Sequence, residues 1–188
     1  MLTAVVAHPP RFGATVKSFD ASKTLAAEGV VDVVQIPQGI AVLASDYWRG
    51  KKARDLLQIE WDESAAMTEG SAELEAEYRA LSEKAGLTAR VEGDAAASLE
   101  GAAHRLDATY VMPFLAHAAM EPLNCVAKVT ADGCEIWNGE QFHTGDQVAI
   151  SKQLGIRPDQ VKLNMLYAGG SFGRRANPKS DYLLEAVS

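Results

Sequence analysis

A glycine-rich loop, YAGGSFGRRANP at residues 167–178, holds the residue types whose spacing could do chemistry. Glycines let a backbone approach another group closely or adopt positive φ angles. Because this loop follows a strand-like run and precedes a potential helix start at Ser180, its N–H groups could hold an anion. The loop lacks the lysine and Ser/Thr of a P-loop, and the chain has no G-x-G-x-x-G run. A tight structural turn therefore stays open beside an anion site.

The other chemistry-bearing side chains give no motif when taken singly. No two of the four histidines have the helical spacing of a zinc site, and no cysteine pair lies two or three residues apart. Glu121, in MEPLN, is either a functional carboxylate or a loop carboxylate bonded to backbone. The histidines, each interpreted as partly exposed or hydrogen-bonded, are His8, His104, His117 and His143.

The two cysteines are predicted to be free thiols. A hairpin with Asp132 and Gly133 at its turn would pair Ala131 with Cys134. Cys125 would then lie near the far end of the hairpin, roughly 20 Å from Cys134 along the strands. A disulfide needs Cα atoms within about 7 Å.

The composition excludes several classes of protein. The chain has 188 residues, 47% of them apolar and 23% charged, which suits an ordinary globular protein. A net charge of −7 argues against a nucleic-acid partner. No apolar run approaches the roughly 18 residues of a membrane span, and the first residues do not have the pattern of a signal peptide. The compartment, cytoplasmic or periplasmic, is left open.

Short strands and helices alternate through the first 63 residues, which predicts an α+β unit. Ser45 is expected to cap a helix over 46–57, with Trp48 and Leu56 facing a sheet. Gly29 is expected to end a helix over 22–28. The predicted strands are 2–7, 14–19, 30–36, 39–45 and 58–62.

The rest of the chain divides into a connecting segment, 64–103, and a second α+β unit, 104–188. The connection holds one acidic helix, with Ser71 as N-cap and Gly86 after its end. The second unit is expected to begin with a strand over 104–114 and to continue with the hairpin. A helix capped by Asp146 and ending at Gly155 and a strand over 161–167 then follow.

In this order the elements resemble the large subunit of the molybdenum hydroxylases, the xanthine dehydrogenase and aldehyde oxidase family. The resemblance rests on HAAMEPLNCVAKV and CEIWNGEQFHTGDQVAISKQLGIRPDQVKLNMLYAGGSFGRR, and its nearest branch is the isoquinoline 1-oxidoreductase β subunit. GVVDVVQIP and GIAVLASDYWRGKKARDLLQIEWDE are similar to the family's small hammerhead domain. The resemblance implies a hammerhead-type α/β domain at 1–63 and, at 104–188, the opening hairpin, helix and strand of a molybdopterin-binding domain.

The resemblance also implies a cofactor and partners. In the full subunit, molybdopterin with molybdenum, often as its cytosine dinucleotide, hydroxylates an aldehyde or N-heteroaromatic carbon with oxygen from water. Electrons leave through a small iron–sulfur subunit. Gln141 matches the position whose amide contacts an oxygen ligand on molybdenum. The loop against the metal–pterin end matches Gly169, Gly170, Ser171, Phe172, Gly173 and Arg174.

Two departures from the family pattern matter. Ala176 stands where xanthine-type enzymes carry a purine-binding glutamate, which argues against purine substrates. The family's catalytic glutamate lies near the far end of the large subunit, and no residue here matches it. We therefore expect this chain to be a fragment of a longer subunit. The fragment should have no catalytic residue of its own, bind no cofactor alone and be inactive alone.

Two other functions stay open. A non-catalytic α+β module that binds a protein or small ligand is one. Light scattering would discriminate, because a strictly monomeric chain would favour a self-sufficient module and association would suit a severed domain. An enzyme that binds phosphate with the glycine loop is the other, and titration with nucleotides would test it.

Overall fold

The computed structural model describes all residues from Met1 to Ser188, and its mixture of helices and strands confirms the α+β class. None of its helices combines the length and the apolar character that crossing a membrane requires. The strands are β1 (Thr3–Ala7), β2 (Thr15–Asp20), β3 (Val30–Ile36), β4 (Gly39–Ala44), β5 (Gln58–Asp62), β6 (Cys125–Thr130), β7 (Gly133–Gly139) and β8 (Val161–Leu166). The helices are α1 (Ser22–Leu25), α2 (Tyr47–Arg54), α3 (Ser71–Ser82), α4 (Ala95–Glu100), α5 (His143–Leu154) and α6 (Asp181–Val187), with a 3-10 turn at Pro158–Gln160.

The chain forms two compact units. One contains Met1–Met67 together with Ala116–Ser188, and the other contains Thr68–Leu115. The division into 1–63, 64–103 and 104–188 stays a sequence-based prediction.

The N-terminal part is built on an antiparallel sheet in the order β1-β4-β3. β4 is the central strand, so Ile40 and Val42 are fully buried. β2 and β5 form a separate antiparallel pair. α2 packs against β1 at Gly50, where an added Cβ would lie 2.9 Å from Val5 Cγ2.

Two predictions about α2 are wrong. Asp46, not Ser45, is the N-cap, because its carboxylate accepts the Arg49 N–H at 3.0 Å. Trp48 and Leu56 do not face the sheet, since they are 57% and 44% exposed. The small residues Gly50 and Ala53 occupy the buried face instead, which lets the helix approach the sheet closely.

The C-terminal part is a second sheet in the order β6-β7-β8. β6 and β7 form an antiparallel hairpin, and β8 pairs parallel to β7 after the crossover helix α5. Helices α5 and α6 cover this sheet. Its core consists of Cys134, Ile136, Ile150, Val161, Tyr182, Leu183 and Val187.

The hairpin exists, but the predicted register is wrong by two residues. Thr130 pairs with Gly133, so the turn residues are Ala131 and Asp132. Cys134 therefore lies opposite Val129, and Cys125 lies opposite Asn138. Both thiols are free.

Three further local predictions are wrong. Residues 104–114 form no strand, because no neighbouring strand offers them a ladder. α3 runs from Ser71 to Ser82, so its N-cap is Gly70 and not Ser71, and its C-cap is Glu83, earlier than the predicted C′ residue Gly86 requires. Asp146 does not cap α5 but is buried inside it, and the N-cap position is Phe142. The end of α5 at Gly155, in the left-handed conformation with φ 67°, is as predicted.

Candidate functional site

The parallel pairing of β7 and β8 sets where the candidate residues lie. Gly139, the last residue of β7, pairs with Leu166, the last residue of β8. Gln141 follows the first strand, and the glycine loop follows the second. Both segments therefore leave the sheet at the same carboxyl edge, where α/β proteins bind their ligands. The Gln141 side chain is exposed at this edge.

The glycines of the loop are needed for different reasons. An added Cβ at Gly169 would lie 2.6 Å from Glu121 Cβ, so the neighbouring loop excludes a side chain there. Gly170 has φ 104° and Gly173 has φ 91°, both in the region that favours glycine. An added Cβ at Gly173 would meet open space, so backbone conformation alone selects glycine there. Phe172 has φ 54° and is 74% exposed, which is strained backbone for an aromatic residue.

The loop offers backbone donors that the protein itself does not use. Its internal bonds run from Arg174 N–H to Ser171 O and from Ala176 N–H to Gly173 O, both at 3.0 Å. The N–H groups of residues 170–173 donate to no protein acceptor. Positive-φ backbone with such donors suits the oxygen atoms of an anionic ligand. The backbone donors of this edge thus fit an anionic group.

Glu121 joins the MEPLN loop to the glycine loop. Its Oε2 accepts the Gly169 N–H at 2.5 Å, and its Oε1 accepts an N–H of Asn124 at 2.9 Å. The Gly169 N–H and the Asn124 amide, with a smaller effect of Arg175, lower the pKa of Glu121. The carboxylate is therefore bonded to backbone. Of the two interpretations from the sequence, this is the loop carboxylate and not the functional one.

The two arginines after the loop have different environments. Arg174 pairs with Asp181 at the start of α6, with an Nη2–Oδ2 distance of 2.6 Å. Arg175 is buried, with only 1% of its surface exposed. Its Nε donates to Gly170 O at 3.3 Å and its Nη1 to Gly139 O at 3.4 Å. The sequence pattern predicts Arg174 as the site residue but not Arg175, because adjacent arginines in a loop give no signal of which one is buried.

A buried carboxylate, Glu140, precedes Gln141. Its Oε1 accepts the N–H groups of Gln141 and Phe142, each at 2.7 Å. Its Oε2 accepts an N–H of Asn138 at 3.0 Å. Burial alone would raise the pKa of Glu140, but these hydrogen bonds outweigh it and lower the pKa. The sequence does not predict Glu140 as a site residue, since nothing in NGEQ distinguishes a buried glutamate from an exposed one.

Asp146 is a second buried carboxyl group, 1% exposed, next to Glu140. Its Oδ1 accepts the Ser180 hydroxyl, and its Oδ2 has no hydrogen-bond partner. Burial and the neighbouring Glu140 raise the pKa of Asp146 to about 7, although the Ser180 bond opposes the rise. A protonated Asp146 could donate to Glu140, which would satisfy the orphaned oxygen.

Residues 169–173 also have the Gly-x-Ser-x-Gly spacing of a nucleophile elbow around Ser171. That motif requires a sharp turn between a strand and a helix, with a histidine beside the serine. Here β8 ends at Leu166 and α6 begins only at Asp181. The histidine with a side-chain hydrogen bond is His8, and its partner is Glu185. The geometry does not support a serine nucleophile.

No group of three or more His, Cys, Asp or Glu side chains is arranged to hold a metal ion.

Comparison with known proteins gives three related findings. The family model of the molybdopterin cofactor-binding domain matches residues 79–187, which is more than half of the chain. The chain is 28% identical over 193 residues to isoquinoline 1-oxidoreductase subunit beta of Brevundimonas diminuta, covering 95% of this chain and 24% of that protein. It is 29% identical over 153 residues to the aldehyde oxidoreductase molybdenum-binding subunit PaoC of Escherichia coli O157:H7, covering 80% and 20%. The chain thus spans about a quarter or less of the length of these relatives.

Among solved structures, quinoline 2-oxidoreductase from Pseudomonas putida 86 superposes with a TM-score of 0.71 at 21% identity. The superposition covers 97% of this chain and 29% of that one. It shows a shared fold.

Proposed function

Since the chain belongs to the molybdopterin cofactor-binding domain family, we propose that it is part of the large subunit of a molybdenum hydroxylase. The complete subunit would oxidise an aldehyde or an N-heteroaromatic compound. The relatives support this range, because their names include an aldehyde oxidoreductase and an isoquinoline oxidoreductase. We exclude purines from this substrate range because Ala176 stands in place of the purine-binding glutamate.

In this proposal the carboxyl edge of the second sheet holds the metal–pterin end of the cofactor. The Gln141 amide donates a hydrogen bond to an oxygen ligand on the metal. The backbone of residues 169–173 lies against the same group, and its unused N–H donors face oxygen atoms. Arg174 contributes positive charge at the end of the loop. When bound, the cofactor supplies the redox chemistry by which a carbon is hydroxylated with oxygen from water.

The same proposal assigns the other parts of the chain. Residues 1–63 form the hammerhead domain, 64–103 the connection, and 104–188 the first part of the cofactor-binding domain. The partners are the remainder of the large subunit and a small iron–sulfur subunit. The cofactor is the cytosine dinucleotide form of molybdopterin. Without the family's late glutamate, this chain by itself should show no turnover when metal and cofactor are supplied.

The observation that carries the proposal is the meeting of Gln141 and the positive-φ loop at one sheet edge, on a chain of this family. The test is to purify the tagged chain from its source cells with every chain that binds it, and to measure molybdenum by mass spectrometry and pterin by fluorescence. Both should be present in the complex and absent from the chain produced alone. A complex that contains neither would overturn the proposal.

A non-catalytic interaction module is the second candidate. The observation that favours it is a run of exposed apolar side chains in the compact unit Thr68–Leu115, such as Tyr110, Met112 and Phe114, each at least 80% exposed. Such a surface suits a protein partner. Partners that copurify without molybdenum would support this candidate.

A further inference from the structure

Arg175 contacts three separate segments of the chain. Its Nε donates to the carbonyl of Gly170 in the glycine loop, and its Nη1 donates to the carbonyl of Gly139 at the end of β7. Its Nη2 lies 3.5 Å from Oε1 of Glu121. One side chain therefore links the loop, the strand that leads to Gln141, and the MEPLN loop.

The guanidinium group is suited to this task because its donors have a fixed, planar geometry. Two of its nitrogens, Nε and Nη1, hold two carbonyl acceptors at a fixed separation, which a lysine ammonium cannot do. Gly139 is small because its surroundings are crowded, since an added Cβ there would lie 2.6 Å from Ala168 Cβ and 3.3 Å from Arg175 Cζ.

Stability alone does not account for a cation in this position. The Arg175 side chain is fully buried, and its nearest carboxylate, Glu121, is 3.5 Å away and forms no hydrogen bond with Nη2. A buried ion pair of this kind often contributes no more to stability than apolar residues of the same volume. What it provides instead is a defined geometry between the groups that it joins.

We propose that Arg175 is a positioning residue that holds the glycine loop at a fixed separation from the β7 end and Gln141, so that both segments contact one cofactor. This inference rests on the proposed function for the identity of that cofactor. The geometric part concerns this chain alone and can be tested without any cofactor.

The first test measures backbone order in the ¹⁵N-labelled chain by nuclear magnetic relaxation. In the native chain, residues 169–173 and Gln141 should have order parameters near about 0.85. Arg175→Lys keeps the charge but not the planar fork, and the order parameters of the loop should fall below about 0.6. Arg157→Lys is the matched control, because Arg157 forms an exposed pair with Asp159 far from this edge.

If β4 keeps its native order parameters, the Arg175→Lys variant is folded. Unchanged order parameters for residues 169–173 in that folded variant would overturn the inference. If that variant does not fold, the native chain still decides the question. Nuclear Overhauser contacts from the Arg175 guanidinium protons to Gly139 and Gly170 are expected, and a freely rotating guanidinium without them would overturn the inference.

The second test measures molybdenum in the complex purified from source cells. Arg175→Lys should lower the molybdenum content about tenfold, as losses around metal-site ligands commonly do. Full retention of molybdenum despite a disordered loop would overturn the positioning role. A native complex without molybdenum would instead overturn the proposed function, while the order parameters would still decide the role of Arg175.

Discussion

Glu121 and Gly169 bond to each other in both directions. The Glu121 carboxylate accepts the Gly169 N–H at 2.5 Å, and the Glu121 N–H donates to Gly169 O at 3.2 Å. The pair joins two loops that lie 48 residues apart in sequence. It also explains why residue 169 is glycine, since an added Cβ would overlap the Glu121 side chain.

Removing the Glu121 carboxylate should loosen the glycine loop without unfolding the protein. In Glu121→Ala the Gly169 N–H loses its acceptor, so its exchange with solvent should become at least about tenfold faster. Glu63→Ala is the control, because Glu63 forms only an exposed pair with Arg11. Hydrogen exchange followed by nuclear magnetic resonance makes the comparison. Equal Gly169 exchange rates in both variants would show that the carboxylate does not hold the loop.

The buried Asp146 should make stability depend on pH. Its pKa is about 7 in the folded protein, against 3.8 for an ordinary aspartate, because burial and Glu140 disfavour the charged form. Because the pKa is higher in the folded protein, the protonated carboxyl group stabilises the fold fully when the pH lies below the pKa of the unfolded chain. That contribution is lost as the pH rises through the folded pKa of about 7. Glu140, Asp181 and Ser180 are the groups that act on this carboxyl group.

Asp146→Asn removes this titration while keeping the shape of the side chain. Between pH 5 and pH 8 the native chain should lose at least about 1 kcal/mol of unfolding free energy relative to the variant. Urea unfolding at several pH values measures the difference. Parallel stability profiles for the two chains would mean that Asp146 is charged in the folded protein at pH 5.

Gly170→Val should reduce cofactor retention without unfolding the N-terminal sheet. The side chain would be placed at φ 104°, a conformation that valine rarely adopts, and the loop would have to move. Gly155→Val is the matched control, since Gly155 also has positive φ but caps α5 away from the loop. Molybdenum per chain should fall in the first variant only. Normal molybdenum in Gly170→Val would count against the loop as a cofactor contact.

Exposed apolar side chains in the unit Thr68–Leu115 should make the chain self-associate. Met112 and Phe114 are each at least 80% exposed. Light scattering should give an average mass that rises with protein concentration, and less so in the double variant Met112→Ser with Phe114→Ser. Leu25→Ser, at an exposed apolar position outside this unit, should behave as the native chain does. A strictly monomeric native chain would favour a self-sufficient module.

Local patterns in the sequence predicted the elements whose signals are local. β3 and β5 have the predicted ends, and the helix before Gly155 ends where a left-handed glycine was expected. The hairpin was found, but its register was not, because Ala131-Asp132 and Asp132-Gly133 are both acceptable turns and cross-strand packing decides between them. The alternating residues 104–114 form no strand, since a strand also requires a neighbour.

The candidate site was predictable as a set of segments but not as a set of contacts. The order of motifs predicts Gln141 and the glycine loop as parts of one site, and the structure has both follow paired strands at one sheet edge. Which arginine is buried, and that Glu140 and Asp146 lie together, depends on the parallel crossover through α5 and on α6 packing against it. Such packing between distant segments cannot be predicted from a short stretch of sequence.

The most direct test of the central claim is an experimental structure of the complex purified from source cells. We predict that the metal–pterin end of the cofactor contacts the backbone of Gly170. The Gln141 amide should lie within hydrogen-bond distance, about 3 Å, of an oxygen ligand on the metal. A cofactor bound elsewhere, with Gln141 and the glycine loop facing only protein or solvent, would contradict the account.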